Sequence, residues 1–269
     1  MSEAARALSA WNFEPSVLLG VALLVAAYLA ALGPYRSRFK SSEKVDRVRV
    51  FAFLLGAFIM LFALISPIDE IGDRYLFSVH MTQHLLLTLV APPLMLIGTP
   101  GWMLRPFLRD PVVLRAARFF TNPVVAFAIF NIDFAAWHIP AFYEATLENG
   151  TLHIIEHLMF IGTAFLNWWP ILSPLPELPR LPSPAQIAYL FAQAFPATIL
   201  GAFIVFAPEP LMPTYAAAPA IFGIGALDDQ IYSGLIMWMP GGMIYLIALS
   251  IVWFMWLDRE ERAERKTAS

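Results

Sequence analysis

Residues 79–98 read VHMTQHLLLTLVAPPLMLIG, with His80 and His84 at the mouth of an otherwise apolar run. Twenty helical residues rising about 1.5 Å each cover about 30 Å, the thickness of a bilayer core. The segment predicts a membrane-spanning helix. Pro92 and Pro93 lie inside it. A bilayer helix tolerates such residues where neighbouring helices satisfy the freed backbone groups. His80 and His84 are four residues apart, so they share one face of this helix.

The rest of the chain repeats the apolar pattern. Of its 269 residues 59% are hydrophobic and only 14% charged, and the mean hydropathy is +0.67. A soluble domain of this size needs more charged surface. The sequence predicts an all-α polytopic transmembrane helix bundle, residues 1–269 forming one domain with no separate soluble part. Seven spans are expected, near 17–32, 48–66, 76–97, 123–138, 152–169, 185–206 and 231–257. No long strand-like alternation points to a β-barrel. Kinks are expected at Pro92 and Pro93, at Pro196 and at Pro240. The first span has no basic stretch just ahead of it and is long for a signal peptide, so it reads as a retained helix. The chain has no cysteine, which removes disulfides, thiolate metal sites and thiol catalysis. A net charge of −3 gives no reason to expect a nucleic-acid partner; the expected surroundings are the lipid bilayer.

The basic residues orient the spans. Arg36, Arg38, Lys40, Lys44, Arg47 and Arg49 fill the loop after the first span. Arg105, Arg109, Arg115 and Arg118 follow the third, Arg180 the fifth, and Arg259, Arg262, Arg265 and Lys266 the seventh. Only Arg6 and Arg74 fall on the other side. Positive charge favours the cytoplasm, so the N-terminus is expected outside and the C-terminus inside.

That orientation places all five histidines at one membrane face. His80 and His84 open the third span, His138 closes the fourth, and His153 and His157, in HIIEH, open the fifth. Two i,i+4 pairs and a fifth ring at one face form a candidate metal site. Asp133 and Glu156 are ionisable groups inside spans, where polarity is costly and usually functional. They read as ligands or as groups that hold an imidazole in one tautomer. Asp228 and Asp229 read first as a solvated helix start that complements the N-terminal dipole, with their carboxylates also available to the same face. Met81, Met159, Met237, Met239 and Met243 read as packing; Met239 and Met243, four residues apart, also offer a thioether pair.

Imidazole with nearby thioether and carboxylate suits copper, and imidazole suits zinc as well. Several readings compete. One is metal handling at the outer face. A second is a haem held between helices, which needs only one histidine from each of two helices. A third is a membrane metalloprotease, because HIIEH fits the H-x-x-E-H pattern whose glutamate acts as base; this leaves HMTQH unexplained. A fourth is a metal-free membrane scaffold.

At these residues the chain resembles the CtaG family of cytochrome c oxidase assembly proteins, the polytopic kind associated with caa3-type oxidases. The resemblance rests on SVHMTQHLLLTLVAPPLMLIGTP, on FNIDFAAWHIPAFYEATLENGTLHIIEHLMFIGTAFLNWWPIL and on DDQIYSGLIMWMPGGMIYL. It runs from about residue 17 to residue 257. It implies a multi-pass protein of the bacterial inner membrane that helps to assemble an active oxidase, plausibly through copper, with oxidase subunits or copper chaperones as partners. The family's histidine motifs fall on His80, His84, His138, His153 and His157, and its Asp-Gln on Asp229 and Gln230. Another copper-delivery family that has shared the name is a single-span protein with a cysteine motif, which this chain lacks. The expectation is therefore a copper site on those five histidines, with Asp133, Glu156, Asp229, Gln230, Met239 and Met243 as outer or additional ligands. No catalysed chemistry is expected.

Overall fold

A computed structural model describes residues 1–39 and 44–267; Lys40 of the first basic loop lies outside the described residues. The described residues form helices joined by turns, with no strand among them. In chain order they include α1 (Pro15–Leu32), α2 (Arg47–Ile65), α3 (Pro67–Arg74), α4 (Phe77–Gly98), α5 (Pro111–Phe120) and α6 (Pro123–Trp137). There follow α7 (Pro140–Glu148), α8 (Gly150–Leu172), α9 (Ser183–Val205), α10 (Pro213–Ala217) and α11 (Ala226–Thr267).

Five of these, α1, α2, α4, α9 and α11, are long and apolar enough to cross a membrane. The successive helices α5 and α6, bent by 66° at their junction, make a sixth if taken as one span. The chain is a membrane protein. The remaining expected span is α8, whose 23 residues are long enough; it carries His153, Glu156, His157 and Asn167 and is not among the helices apolar enough to cross a membrane. α11, expected to end near residue 257, runs on to Thr267 without a break. Its tail stays helical through i,i+4 pairs such as Arg262 with Asp258 at 3.0 Å, which suit an exposed helix.

The expected proline kinks take another form. Leu86–Val90, just before Pro92, and Met237–Gly241, around Pro240, are π turns inside long helices. A widened turn accommodates the missing backbone donor. Pro196 sits within continuous α-helix.

α4 is the central helix. Its Leu87 and Met95 pack with Tyr28, Phe53 and Met60 of α1 and α2. Its Phe77 and Met81 join Phe134, Tyr143, Phe160 and Tyr215 at its N-terminal end. Its Leu89 and Leu96 join Trp168, Leu190 and Tyr245 in the other half. Lipid is as apolar as leucine, so association rests on close packing and interhelical hydrogen bonds. Both are present. At the α9–α11 crossing, a Cβ on Gly201 would lie 2.7 Å from the Gly234 carbonyl oxygen, and one on Gly234 the same distance from Gly201; only glycine allows this approach. Deeper in, Asn131 Nδ2 donates to Gln193 Oε1 (2.9 Å), Asn167 Nδ2 to the Tyr245 hydroxyl (2.9 Å), and the Tyr189 hydroxyl to Asn167 Oδ1 (2.9 Å). Gln193 Nε2 also donates to Asn167 Oδ1. Such bonds are worth about 0.6 kcal/mol each on average in a bilayer.

Candidate metal centre

The start of α4 is fixed from far along the chain. Leu76 gives no side-chain cap. Instead Asp229 of α11 accepts from the Phe77 N–H (2.6 Å) and the Ser78 N–H (3.2 Å), and from the Ser78 hydroxyl. A carboxylate at the first turn satisfies orphan donors and favours the helix dipole. The dipole role read for Asp229 is thus performed on α4, while Asp228 stays exposed. Gln230 is likewise spent on backbone: it accepts from the Leu211 N–H (2.6 Å) and donates to the Ile204 and Glu209 carbonyls.

This anchoring aims His80 and His84 at α8. The ring centroids lie 4.2 Å apart for His80–His84, 4.3 Å for His153–His157, 5.7 Å for His84–His157 and 5.8 Å for His80–His153. One ligand atom from each of His80, His84, Glu156 and His157 lies within 4.8 Å of the others. His80 and Glu156 are 0% exposed, His84 2% and His157 8%. Ligands about 2.0–2.1 Å from a tetrahedral ion stand about 3.4 Å apart, so small side-chain shifts would close this set.

A second set shares His80. Asp73, His80 and His153 offer ligand atoms within the same 4.8 Å limit. Asp73 Oδ1 lies 3.2 Å from His80 Nδ1, and its Oδ2 lies 3.4 Å from His153 Nδ1. A carboxylate only accepts, so both Nδ1 atoms carry their protons and both Nε2 atoms keep a lone pair. This is the carboxylate–histidine pairing that orients metal ligands. Burial pushes the Asp73 carboxyl up to about 6, partly offset by His153.

The buried donors are conspicuously unsatisfied. His80 Nε2, both nitrogens of His84, His153 Nε2, His157 Nε2 and both oxygens of Glu156 have no hydrogen-bond partner among the described residues. His84 Nε2 faces Glu156 Oε1 at 3.8 Å, beyond hydrogen-bond reach. Buried polar atoms normally find partners, and one ligand atom from each of His80, His84, Glu156 and His157 falls within a single 4.8 Å group, a geometry suited to a bound species.

The roof is aromatic. The Tyr143 ring stands 5.2 Å from that of His80. Its hydroxyl lies 2.8 Å from that of Tyr215, which donates to the Gly72 carbonyl (2.7 Å). A Cβ on Gly72 would come within 3.0 Å of His80 Cα, so this glycine lets α3 lie against α4.

The other expected residues fall elsewhere. His138 is adjacent, its ring 6.1 Å from that of His84, but belongs to neither set. Asp133 accepts from Trp137 Nε1 (3.0 Å) and the Thr163 hydroxyl (2.8 Å), not from an imidazole. Met239 and Met243 are 57% and 54% exposed and face outward. Asp73 was not singled out from the sequence, although it lies in the acid-bearing stretch IDEIGDR at the same end of the bundle. Gln83, the residue before His84, was also missed; it is buried and donates to Asp69 Oδ1 (2.8 Å) and the Ala63 carbonyl (2.9 Å).

A polytopic membrane protein with a buried histidine–carboxylate cluster at one end of its bundle is the class that fold and site define. Residues 26–259 match the model of the cytochrome c oxidase caa3 assembly factor family, Caa3_CtaG, and the chain belongs to that family. It is 26% identical to an uncharacterized protein of Mycobacterium bovis over 203 residues, covering 70% of this chain and 30% of that one. It is 22% identical to an uncharacterized protein of Mycobacterium leprae over 274 residues, 96% of this chain and 41% of that one. The chain thus spans less than half the length of the curated relatives it matches. No solved structure matches it.

Proposed function

We propose that this chain acts in the bacterial plasma membrane as an oxidase assembly factor that holds a copper ion and passes it to an oxidase subunit or a copper chaperone. The ion would rest on His80, His84 and His157 with Glu156, while Asp73 and His153 form its outer approach. The observation that carries this reading is the convergence of buried, unpartnered ligand atoms from α4 and α8. A cation can take one lone pair from each of these four side chains; water alone would have to bridge mostly acceptors. The basic loops support an orientation with this end outside.

The size of the site favours an ion over a haem. Neighbouring imidazole centroids of the cluster stand only 4.2–5.8 Å apart, and the cavity that His84 lines beside it is about 20 Å³, room for about one water. The full burial of Glu156 likewise offers a peptide no approach, which supports the reading without catalysis over the metalloprotease.

Elemental analysis of gently purified full-length protein tests this directly, wild type beside the His80→Ala/His84→Ala double variant. Copper in the wild type and its loss in the variant are expected. Equal copper in both, or none in either, would end the proposal.

A further inference from the structure

His138, outside both ligand sets, makes an unusual contact. Its Nδ1 lies 2.6 Å from the Phe134 carbonyl oxygen. A carbonyl has no proton to give, so Nδ1 carries the hydrogen and Nε2 of the neutral ring holds a lone pair. That lone pair faces the Met81 sulfur at 3.4 Å. A thioether has no proton either. Two acceptors therefore point at one another, both 5% exposed or less. Protonating the ring would supply a donor but would bury an uncompensated charge among Phe134 and Phe160, which is costly.

The surroundings extend the pattern. Met81, His84 and Met237 line one small cavity. His84 Nδ1 and Nε2 have no partner. Ordinary sulfur packing places a thioether about 5 Å from an aromatic ring, often at its edge; here sulfur lies against the one ring atom with a free lone pair.

We propose that Met81 Sδ and His138 Nε2, beside His84, form a soft-donor station that selects the ion as cuprous copper. This rests on the metal-handling reading above and adds the oxidation state. Thioether ligands suit Cu(I), whereas zinc gains little from them. The His138 ring stands 6.1 Å from that of His84, and Met81 and His84 line one cavity, so the station adjoins the histidine–glutamate set.

The test uses full-length protein in bilayer discs, loaded with Cu(I) under a reductant, and X-ray absorption at the copper edge. A sulfur neighbour of copper is expected in the wild type and lost in Met81→Leu, a near volume-conserving change. Cu(I) affinity should fall by no less than the about tenfold that loss of an outer-shell partner costs a metal site, with zinc affinity little altered. Were Met81→Leu to fail to fold, selenomethionine-labelled wild type gives the same answer through a selenium neighbour, and His138→Ala should remove it. Copper bound by nitrogen and oxygen alone overturns this station and leaves the histidine site standing, as does a sulfur neighbour that survives Met81→Leu. Wild-type protein that takes up no copper overturns both.

Discussion

Asp73 shows how one carboxyl can set a site's behaviour. It holds His80 and His153 by their Nδ1 atoms, and burial lifts it from an ordinary 3.8 to about 6. The folded chain therefore binds more protons than the unfolded one between those values. Its contribution to stability is present at low pH and is lost as pH rises through about 6; the sign follows from linkage. Asp73→Asn should gain thermal stability relative to wild type at pH 7.5 and not at pH 4, as melting curves at the two values will read. The same variant should hold metal about 10–100-fold less tightly, the usual effect of losing an outer partner. Asp73 was hidden in the sequence because a loop carboxylate has no periodicity to flag it. The histidines were legible because i,i+4 spacing and loop charge gave independent constraints on the same residues. Asp133 misled because an acid inside a span suggests function, yet Trp137 and Thr163 satisfy it within the helix pair.

At the scale of elements, apolar runs and prolines located the long helices, while their internal detail depended on partners far away in sequence. Nothing near Phe77 announces that its cap arrives from Asp229, 152 residues on. Asp229→Ala should therefore act at a distance. It should destabilise the protein by about 1 kcal/mol, the usual loss for a helix cap, and should loosen metal retention without touching a ligand. Denaturation in detergent and chelator competition would measure the two effects; unchanged retention would mean that α4 is held by packing alone. The close approach of Gly201 to Gly234 was equally hidden, because a glycine in an apolar helix does not say which neighbour it admits.

At the scale of the whole molecule, the polar cluster lies at one end and the arginine-rich loops at the other. The chain's lack of cysteine makes the expected orientation simple to check. Ser9→Cys should react with a membrane-impermeant thiol reagent in intact cells, and Ala263→Cys only after permeabilisation; the opposite pattern would put the histidines on the cytoplasmic side. The two π turns carry a consequence at this scale. Each holds one residue more than the α turn it replaces, and one residue is worth about 100° of rotation. α4 and α11 are thus each two rods on a common axis, clocked to different partners. The N-terminal rod of α4 is clocked by its histidines and Asp229, the C-terminal one by Met95 and Leu96 against their neighbours. Substitutions that retune the N-terminal rod leave the phase of the C-terminal rod alone, whereas deleting a single residue between 86 and 90 would turn one rod against the other and swing the imidazoles off their common focus.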